Sequence, residues 1–306
     1  MNLIKNKRIF IFLFVIVFLY FFLSFFVAFS AFSIGDEVYE STPESLGLIY
    51  EENDILTSQS SLSTWWIPNN SDITIIMLHG LRSQKADQEI LDKIAELNNL
   101  GYSIIAVDFR NHGKSGEGDF TFGVDEVNDV FNTIAYYRDA KDLTRFGIWG
   151  FSYGATTALL TGLDFDQQNL GVEIVGIFAE SPYMDLLAVF TDQVAYRTPL
   201  NTAMANLLKP GTVLLSNLIY NFDFNSVQEK FDSSSGIGIP TILISCGNDE
   251  IIPEGQIQDL RDLLGVNSSI EDFIDCRNHG DALKSCLLYT SPSPRDLSTS
   301  RMPSSA

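Results

Sequence analysis

Short apolar runs alternate with amphipathic stretches over residues 64–285 of this chain. Between the apolar runs, hydrophobic residues recur at helical spacing, most clearly over 90–97 and 127–137. The central runs are β-branched and apolar on both faces, which is typical of parallel strands covered on both sides. The alternation therefore predicts an α/β fold with a doubly wound, mostly parallel sheet. The predicted strands are residues 73–78, 103–107, 146–149, 174–179, 241–245 and 270–274.

Two further segments belong to the predicted domain, which we expect to cover residues 36–285. Residues 48–68 precede the first run and are predicted to add antiparallel strands, with the Trp65-Trp66 pair packed inside. Residues 182–238 separate the fourth run from the fifth, which is too long for a simple crossover. We expect a small helical cap there.

The N-terminal region is of a different kind. Residues 9–34 carry no charge and contain 10 of the 23 phenylalanines. As a helix this run would be roughly 39 Å long, against roughly 30 Å for the bilayer core. A cleaved signal peptide has an apolar region of about 7–15 residues. The length therefore favours an uncleaved transmembrane anchor, with cleavage after 28–30 as the alternative.

Charge around this run sets its expected orientation. Three basic residues lie before it, while acidic residues follow and no Lys or Arg recurs before Arg82. The positive-inside bias then predicts a cytoplasmic stub at residues 1–8 and a single-pass signal anchor at 9–34. The domain would lie outside the cytoplasm, held at the cell membrane, with the lipid bilayer as a partner of the anchor.

The composition argues against a nucleic-acid partner, a disulfide scaffold and a metal site. The chain has 39 acidic and 19 basic residues and a formal charge of −20. An acidic surface repels phosphate backbones, so no nucleic-acid partner is expected. Three cysteines are too few for a disulfide scaffold, and the three histidines do not form a cluster with metal-ligand spacing. We therefore expect neither a metal nor a cofactor.

A G-x-S-x-G motif follows the predicted strand 146–149 and precedes a helical stretch. A strand–turn–helix elbow of this kind exposes the hydroxyl of its serine, Ser152, as a nucleophile. Its base would be His279, the one histidine that follows the last strand. The acid should follow the preceding strand, where Asp249 is preferred to Glu250 because it comes first off the strand end. The order Ser, Asp, His is that of α/β-hydrolases.

Together with the motifs at 78–80, 107–116 and 278–280, these residues resemble the α/β-hydrolase superfamily over most of 46–285. The similarity is to serine hydrolases grouped with S33 aminopeptidases and lysophospholipase-like esterases. It implies a catalytic triad of Ser152, Asp249 and His279. It also implies an oxyanion hole made by the backbone N–H groups of Leu81 and Tyr153.

Several nearby residues have structural interpretations. His79 is expected to brace the oxyanion loop, and His112 to hold a tight turn. Cys246 and Cys276 come three residues before Asp249 and His279. A disulfide between them is conceivable outside the cytoplasm, but bridging adjacent strands strains the geometry, so two buried thiols are expected.

The leading hypothesis is a membrane-anchored, extracytoplasmic serine hydrolase that cleaves a small-molecule or lipid acyl ester, thioester or lysolipid. The alternatives are an S33-type serine aminopeptidase and a non-catalytic binding module on the same fold. Residues 286–306 resemble a translated sequencing adapter, so we expect the natural chain to diverge near Ser285.

Overall fold

The computed structural model describes residues 2–34, 38–198, 201–247, 249–265, 268–273, 276, 279 and 280. The adapter-like tail therefore lies outside the described residues. Within them are eight strands: β1 Glu51–Leu56, β2 Ser61–Ile67, β3 Thr74–Leu78, β4 Ser103–Val107, β5 Arg145–Phe151, β6 Glu173–Glu180, β7 Thr241–Cys246 and β8 Ser268–Phe273. The same residues contain eight α-helices: α1 Asn2–Phe32, α2 Gln88–Asn99, α3 Val127–Lys141, α4 Tyr153–Asp164, α5 Leu186–Arg197, α6 Thr202–Tyr220, α7 Ser226–Asp232 and α8 Glu254–Leu264.

All eight strands form one sheet in the order β1-β2-β4-β3-β5-β6-β7-β8. β1 and β2 pair antiparallel with each other, and β2 pairs antiparallel with β4, while the remaining pairs are parallel. The predicted doubly wound, mostly parallel sheet is confirmed. The six predicted strands all form, with small differences at their ends, and residues 48–68 supply the two antiparallel strands.

The core lies on both faces of the sheet, as the sequence pattern requires. Every residue of β3 is buried. Ile76 and Leu78 join the hydrophobic cluster on one face, and Ile75 and Met77 join the cluster on the other. This division follows from the alternation of side chains along a strand. The paired tryptophans divide in the same way and are buried, so their interpretation as packing residues is confirmed.

Three helices, α5 to α7, lie between β6 and β7 in the region of the expected cap. α6 packs against the C-terminal half of α1. The helices approach closely at Gly211, where a Cβ would overlap the hydroxyl of Ser24. Farther along, the Phe32 ring stacks on Tyr220 with 4.1 Å between centroids. Lys7–Phe32 is long and apolar enough to cross a membrane, a property that signal sequences share.

Candidate active site

The serine of the G-x-S-x-G motif lies at the turn between β5 and α4. Ser152 has φ 52° and ψ −113°, a sparsely populated conformation that costs on the order of 1–3 kcal/mol. Glycines permit the turn: a Cβ on Gly150 would overlap the backbone oxygen of Gly154, and one on Gly154 would overlap that of Leu78. The N–H of Ser152 donates to the carbonyl oxygen of Glu180 at 2.8 Å. The turn is thus fixed from both sides at the carboxyl edge of the sheet.

The proposed acid and base lie within hydrogen-bond distance of each other. Nδ1 of His279 is 2.8 Å from Oδ2 and 3.0 Å from Oδ1 of Asp249. Oδ1 also accepts the N–H groups of Ile251 and Ile252 at 2.8 and 2.9 Å. Burial raises the pKa of Asp249, but the hydrogen bond and charge of His279, helped by the two N–H groups, outweigh it and lower that pKa. The alternative acid, Glu250, has an exposed side chain.

A cavity of about 650 Å³ opens at this edge, and both Ser152 and His279 line it. Its walls are mainly apolar. Among the described lining residues none is a carboxylate, and Arg82 carries the one formal positive charge. The apolar contributions of α1 and α5 are Leu23, Phe26, Val27, Leu186, Val189, Phe190 and Val194.

Two backbone N–H groups beside the serine have no protein acceptor among the described residues: those of Leu81 and Tyr153. Tyr153 is the first residue of α4, where helical N–H groups lack intrahelical acceptors. Leu81 belongs to the loop after β3 and lines the cavity. A helix N-terminus also favours negative charge. These two groups are therefore suited to bind an oxyanion.

Two buried histidines hold the Leu81 loop. Nε2 of His79 accepts the N–H of Phe109 at 3.1 Å, and its Nδ1 lies 2.8 Å from the carbonyl oxygen of Gly80. Nε2 of His112 accepts the N–H of Arg82 at 3.3 Å. Burial lowers the pKa of His79 and lowers that of His112 to about 3. Both rings are therefore neutral near pH 7 and hold the Leu81 loop. This is the role expected of His79, whereas His112 was expected to act within its own tight turn.

The ring of Phe151, directly before the serine, lies between the two histidine-glycine loops. A Cβ on Gly80 would come 3.0 Å from Cδ1 of this ring, and one on Gly280 would come 3.0 Å from Cζ. The ring centroids of Phe151 and His279 are 4.8 Å apart. Phe151 thus separates the two loops and supports the His279 ring. Sequence reasoning missed the contacts of the Phe151 ring. The one local sign of them is that a glycine follows both His79 and His279.

Sequence reasoning also missed a buried ion pair that involves the loop after β3. Nζ of Lys85 lies 2.7 Å from Oδ2 of Asp108, and both side chains are fully buried. The carboxylate also accepts the N–H groups of Lys85 and Lys114, at 2.8 and 2.9 Å, and the hydroxyl of Tyr39. The charge and hydrogen bond of Lys85 outweigh the effect of burial and lower the pKa of Asp108. The network joins the loop after β3 to the loop after β4.

One expectation was wrong: Cys246 and Cys276 form a disulfide, with Cα atoms 5.4 Å apart. This separation lies inside the normal range for disulfides. The expected strain assumed that both residues lie on adjacent paired strands. Cys246 does end β7, but Cys276 comes after the end of β8. The pairing of the two strands therefore does not fix the position of Cys276. The bond therefore ties the segments that carry Asp249 and His279.

Comparison with known proteins agrees with this architecture. A family model described as alpha/beta hydrolase fold matches residues 73–192. The Pyrococcus furiosus esterase Pf2001 is 27% identical, with a TM-score of 0.66, over 83% of this chain and 92% of that one.

Two curated relatives match shorter regions. The uncharacterized protein YqkD of Bacillus subtilis is 28% identical over 141 residues, 42% of this chain and 40% of its own length. A probable alcohol acetyltransferase of Cyberlindnera jadinii is 33% identical over 119 residues, 38% of this chain and 32% of its own. The match thus spans less than half the length of either relative. The sheet order, the family match and the similarity to Pf2001 together show that the chain has an α/β-hydrolase fold.

Proposed function

We propose that this protein is a serine hydrolase that cleaves an acyl ester, thioester or lysolipid through Ser152, His279 and Asp249. The observation that carries the proposal is that a strained serine and a carboxylate-bound histidine line one apolar cavity. Esterase activity in a relative of similar fold, Pf2001, supports the same reaction class.

The reaction divides into two acyl transfers. Nε2 of His279 takes the hydroxyl proton of Ser152 while Oγ bonds to the substrate carbonyl carbon, and the N–H groups of Leu81 and Tyr153 bind the resulting oxyanion. The oxyanion collapses, the bond to the leaving group breaks, and His279 returns the proton to that group. Water then attacks the acyl-enzyme by the same route and releases a carboxylic acid. Asp249 holds the imidazole tautomer and stabilises its cationic form.

The cavity favours an acyl compound over the alternative substrate, a peptide with a free amino terminus. An aminopeptidase would need a carboxylate to bind the substrate ammonium group. Among the described residues that line the cavity there is no carboxylate, and the walls are mainly apolar. A non-catalytic binding module would have no need of the hydrogen-bonded pair of Asp249 and His279.

We further propose that α1 anchors the enzyme in the cell membrane with the hydrolase domain outside the cytoplasm. The uncharged run at residues 9–34 and the basic residues before it support this topology. The Cys246–Cys276 disulfide supports it independently, because disulfides persist in oxidising compartments. Protection of the domain from added protease in intact cells would contradict this location.

The direct test is labelling of the full chain, solubilised in detergent, with a fluorophosphonate probe. We expect labelling of the wild type and its loss in Ser152→Ala. The matched control is Ser181→Ala, since Ser181 is also a buried serine with positive φ, 49°, but does not line the cavity. Folded wild-type protein that resists labelling, or Ser152→Ala that still labels, would refute the proposal.

A further inference from the structure

The N-terminal helix forms one wall of the candidate active-site cavity. The four α1 residues that line it are Leu23, Phe26, Val27 and Ser30. Their spacing of three, four and seven residues places them on a single face of the helix. The neighbouring face carries the small buried residues Ser24, Ala28 and Ala31. α1 therefore contributes to the site itself as well as preceding the domain.

α6 runs beside this part of α1 in the same direction. Gly211 lies at the level of Ser24, and Tyr220 lies at the level of Phe32. α6 also exposes a stripe of large apolar side chains at helical spacing, in phase with Gly211. Its members are Met204, Leu207, Leu214 and Leu218, each about half exposed or more. Exposed apolar area arranged in this way, next to a helix fit to cross a membrane, suits contact with lipid.

The position of the cavity along α1 indicates its depth in a bilayer. With Arg8 at the cytoplasmic surface, a helical rise of 1.5 Å per residue puts Leu23 about 22 Å and Ser30 about 33 Å away. The hydrocarbon core is about 30 Å thick. The wall that α1 gives to the cavity therefore lies in the outer leaflet and at its surface. Because Gly211 lies beside Ser24, Leu214 and Leu218 of the α6 stripe lie at this level, while Met204 and Leu207 lie deeper in the bilayer.

Resting on the proposed function and its topology, we infer that the substrate is a long-chain acyl ester drawn from the outer leaflet of the bilayer. Its acyl chain enters beside α1, contacts Leu23, Phe26 and Val27, and brings its carbonyl carbon to Ser152. Hydrolysis follows the two acyl transfers described above and yields a fatty acid and an alcohol. The anchor is then part of the acyl-binding site. A cavity of about 650 Å³ with mainly apolar walls suits one such chain.

The test compares two esters on the full chain reconstituted in phosphatidylcholine vesicles. Monooleoylglycerol supplies a bilayer-resident acyl chain, and para-nitrophenyl acetate supplies the same bond without one. Leu23→Trp fills the cavity from α1, whereas Leu19→Trp, about one turn away and 51% exposed, does not line it. We expect Leu23→Trp to lower kcat/KM for the oleoyl ester at least about tenfold more than it lowers kcat/KM for the acetate. Leu19→Trp should change neither.

A second pair guards against misfolding of the tryptophan variant. Phe26→Ala removes a cavity-lining ring that is 60% exposed. Phe22→Ala removes a ring that is 53% exposed and lies outside the cavity. We expect KM for the oleoyl ester to rise in Phe26→Ala alone. Equal effects within each pair, or equal loss of both esterase activities in Leu23→Trp and Phe26→Ala, would overturn the inference. Wild type that hydrolyses neither ester and resists fluorophosphonate would instead refute the proposed function.

Discussion

Substitution of Gly280 by alanine tests whether Phe151 positions the histidine of the site. Gly280 has φ +86°, and its added Cβ would lie 3.0 Å from Cζ of the Phe151 ring. A left-handed backbone costs a non-glycine residue about 1–3 kcal/mol. The ring contact adds a second effect, because either Phe151 or the segment carrying His279 must move by a few tenths of an ångström.

The matched control is Gly265→Ala. Gly265 has the same φ of +86°, but nothing lies within 4 Å of its Cβ position. Its ψ of −158° places it in a region open essentially to glycine alone. The backbone cost is therefore no smaller there. Both variants should lose stability by a similar amount, about 1–3 kcal/mol, measured by urea unfolding.

Catalysis should separate the two variants. A misplacement of about 1 Å can cost a factor of about 10² in rate, so a shift of part of that size should lower kcat of Gly280→Ala about tenfold, or about 1.4 kcal/mol. Hydrolysis of para-nitrophenyl acetate gives kcat, and Gly265→Ala should keep the wild-type value. Adding Phe151→Leu to Gly280→Ala should recover part of the loss. Equal kcat in the two single variants, or no recovery, would refute the positioning role.

Three further predictions concern charges and the disulfide. Asp249→Asn should lower kcat for para-nitrophenyl acetate by about 10⁴, because an amide nitrogen cannot accept the imidazole N–H and the wrong tautomer results. Asp108→Asn should cost about 3–5 kcal/mol in urea unfolding, since it leaves the Lys85 ammonium buried without its counter-charge, and Lys85→Met in the same chain should restore part of that. Because the pKa of Asp108 is lowered on folding, the stability it contributes should be full above about pH 4 and decline as pH falls through its folded value. Reduction of Cys246–Cys276, 30 residues apart, should cost about 3–4 kcal/mol, and Cys246→Ser should abolish the effect of the reductant.

Each of these has a contrary result. Asp249→Asn with kcat within about tenfold of wild type would remove the proposed acid role. No gain from Lys85→Met in the Asp108→Asn background would show that the lost hydrogen bonds, rather than the unpaired charge, dominate the cost. Unfolding midpoints that are equal with and without reductant would show that the disulfide does not stabilise the fold.

The parts of this molecule that local sequence predicts are those with a short-range physical cause. The strands of the parallel sheet follow from unbroken apolar runs, and the elbow at Ser152 follows from the small glycines at 150 and 154. Chain order alone points to Asp249 and His279, because each follows the end of a strand in a sheet of this topology. These features need only the residues within one element and its flanking turn.

The remaining features depend on which distant segments meet. The pairing of Lys85 with Asp108 buries a lysine, a residue type that sequence alone assigns to the surface. The Cys246–Cys276 bond depends on where the chain turns after β8, which residue spacing alone does not define. The contact of α1 with α6 was not expected either. An apolar run of this length predicts a membrane anchor whether or not the following domain packs against it.

The packing of α1 on α6 has a consequence for the order in which the protein is made. β1 to β6 all lie between the two helices in the chain, so the ribosome completes α1 long before α6 exists. Until then, the face of α1 that carries Ser24, Ala28 and Ala31 has no partner from its own chain. Contacts between segments so distant in sequence form slowly. We therefore expect the newly made chain to bind no long-chain ester until the last third of its synthesis, and during that interval α1 is open to capture by other membrane helices.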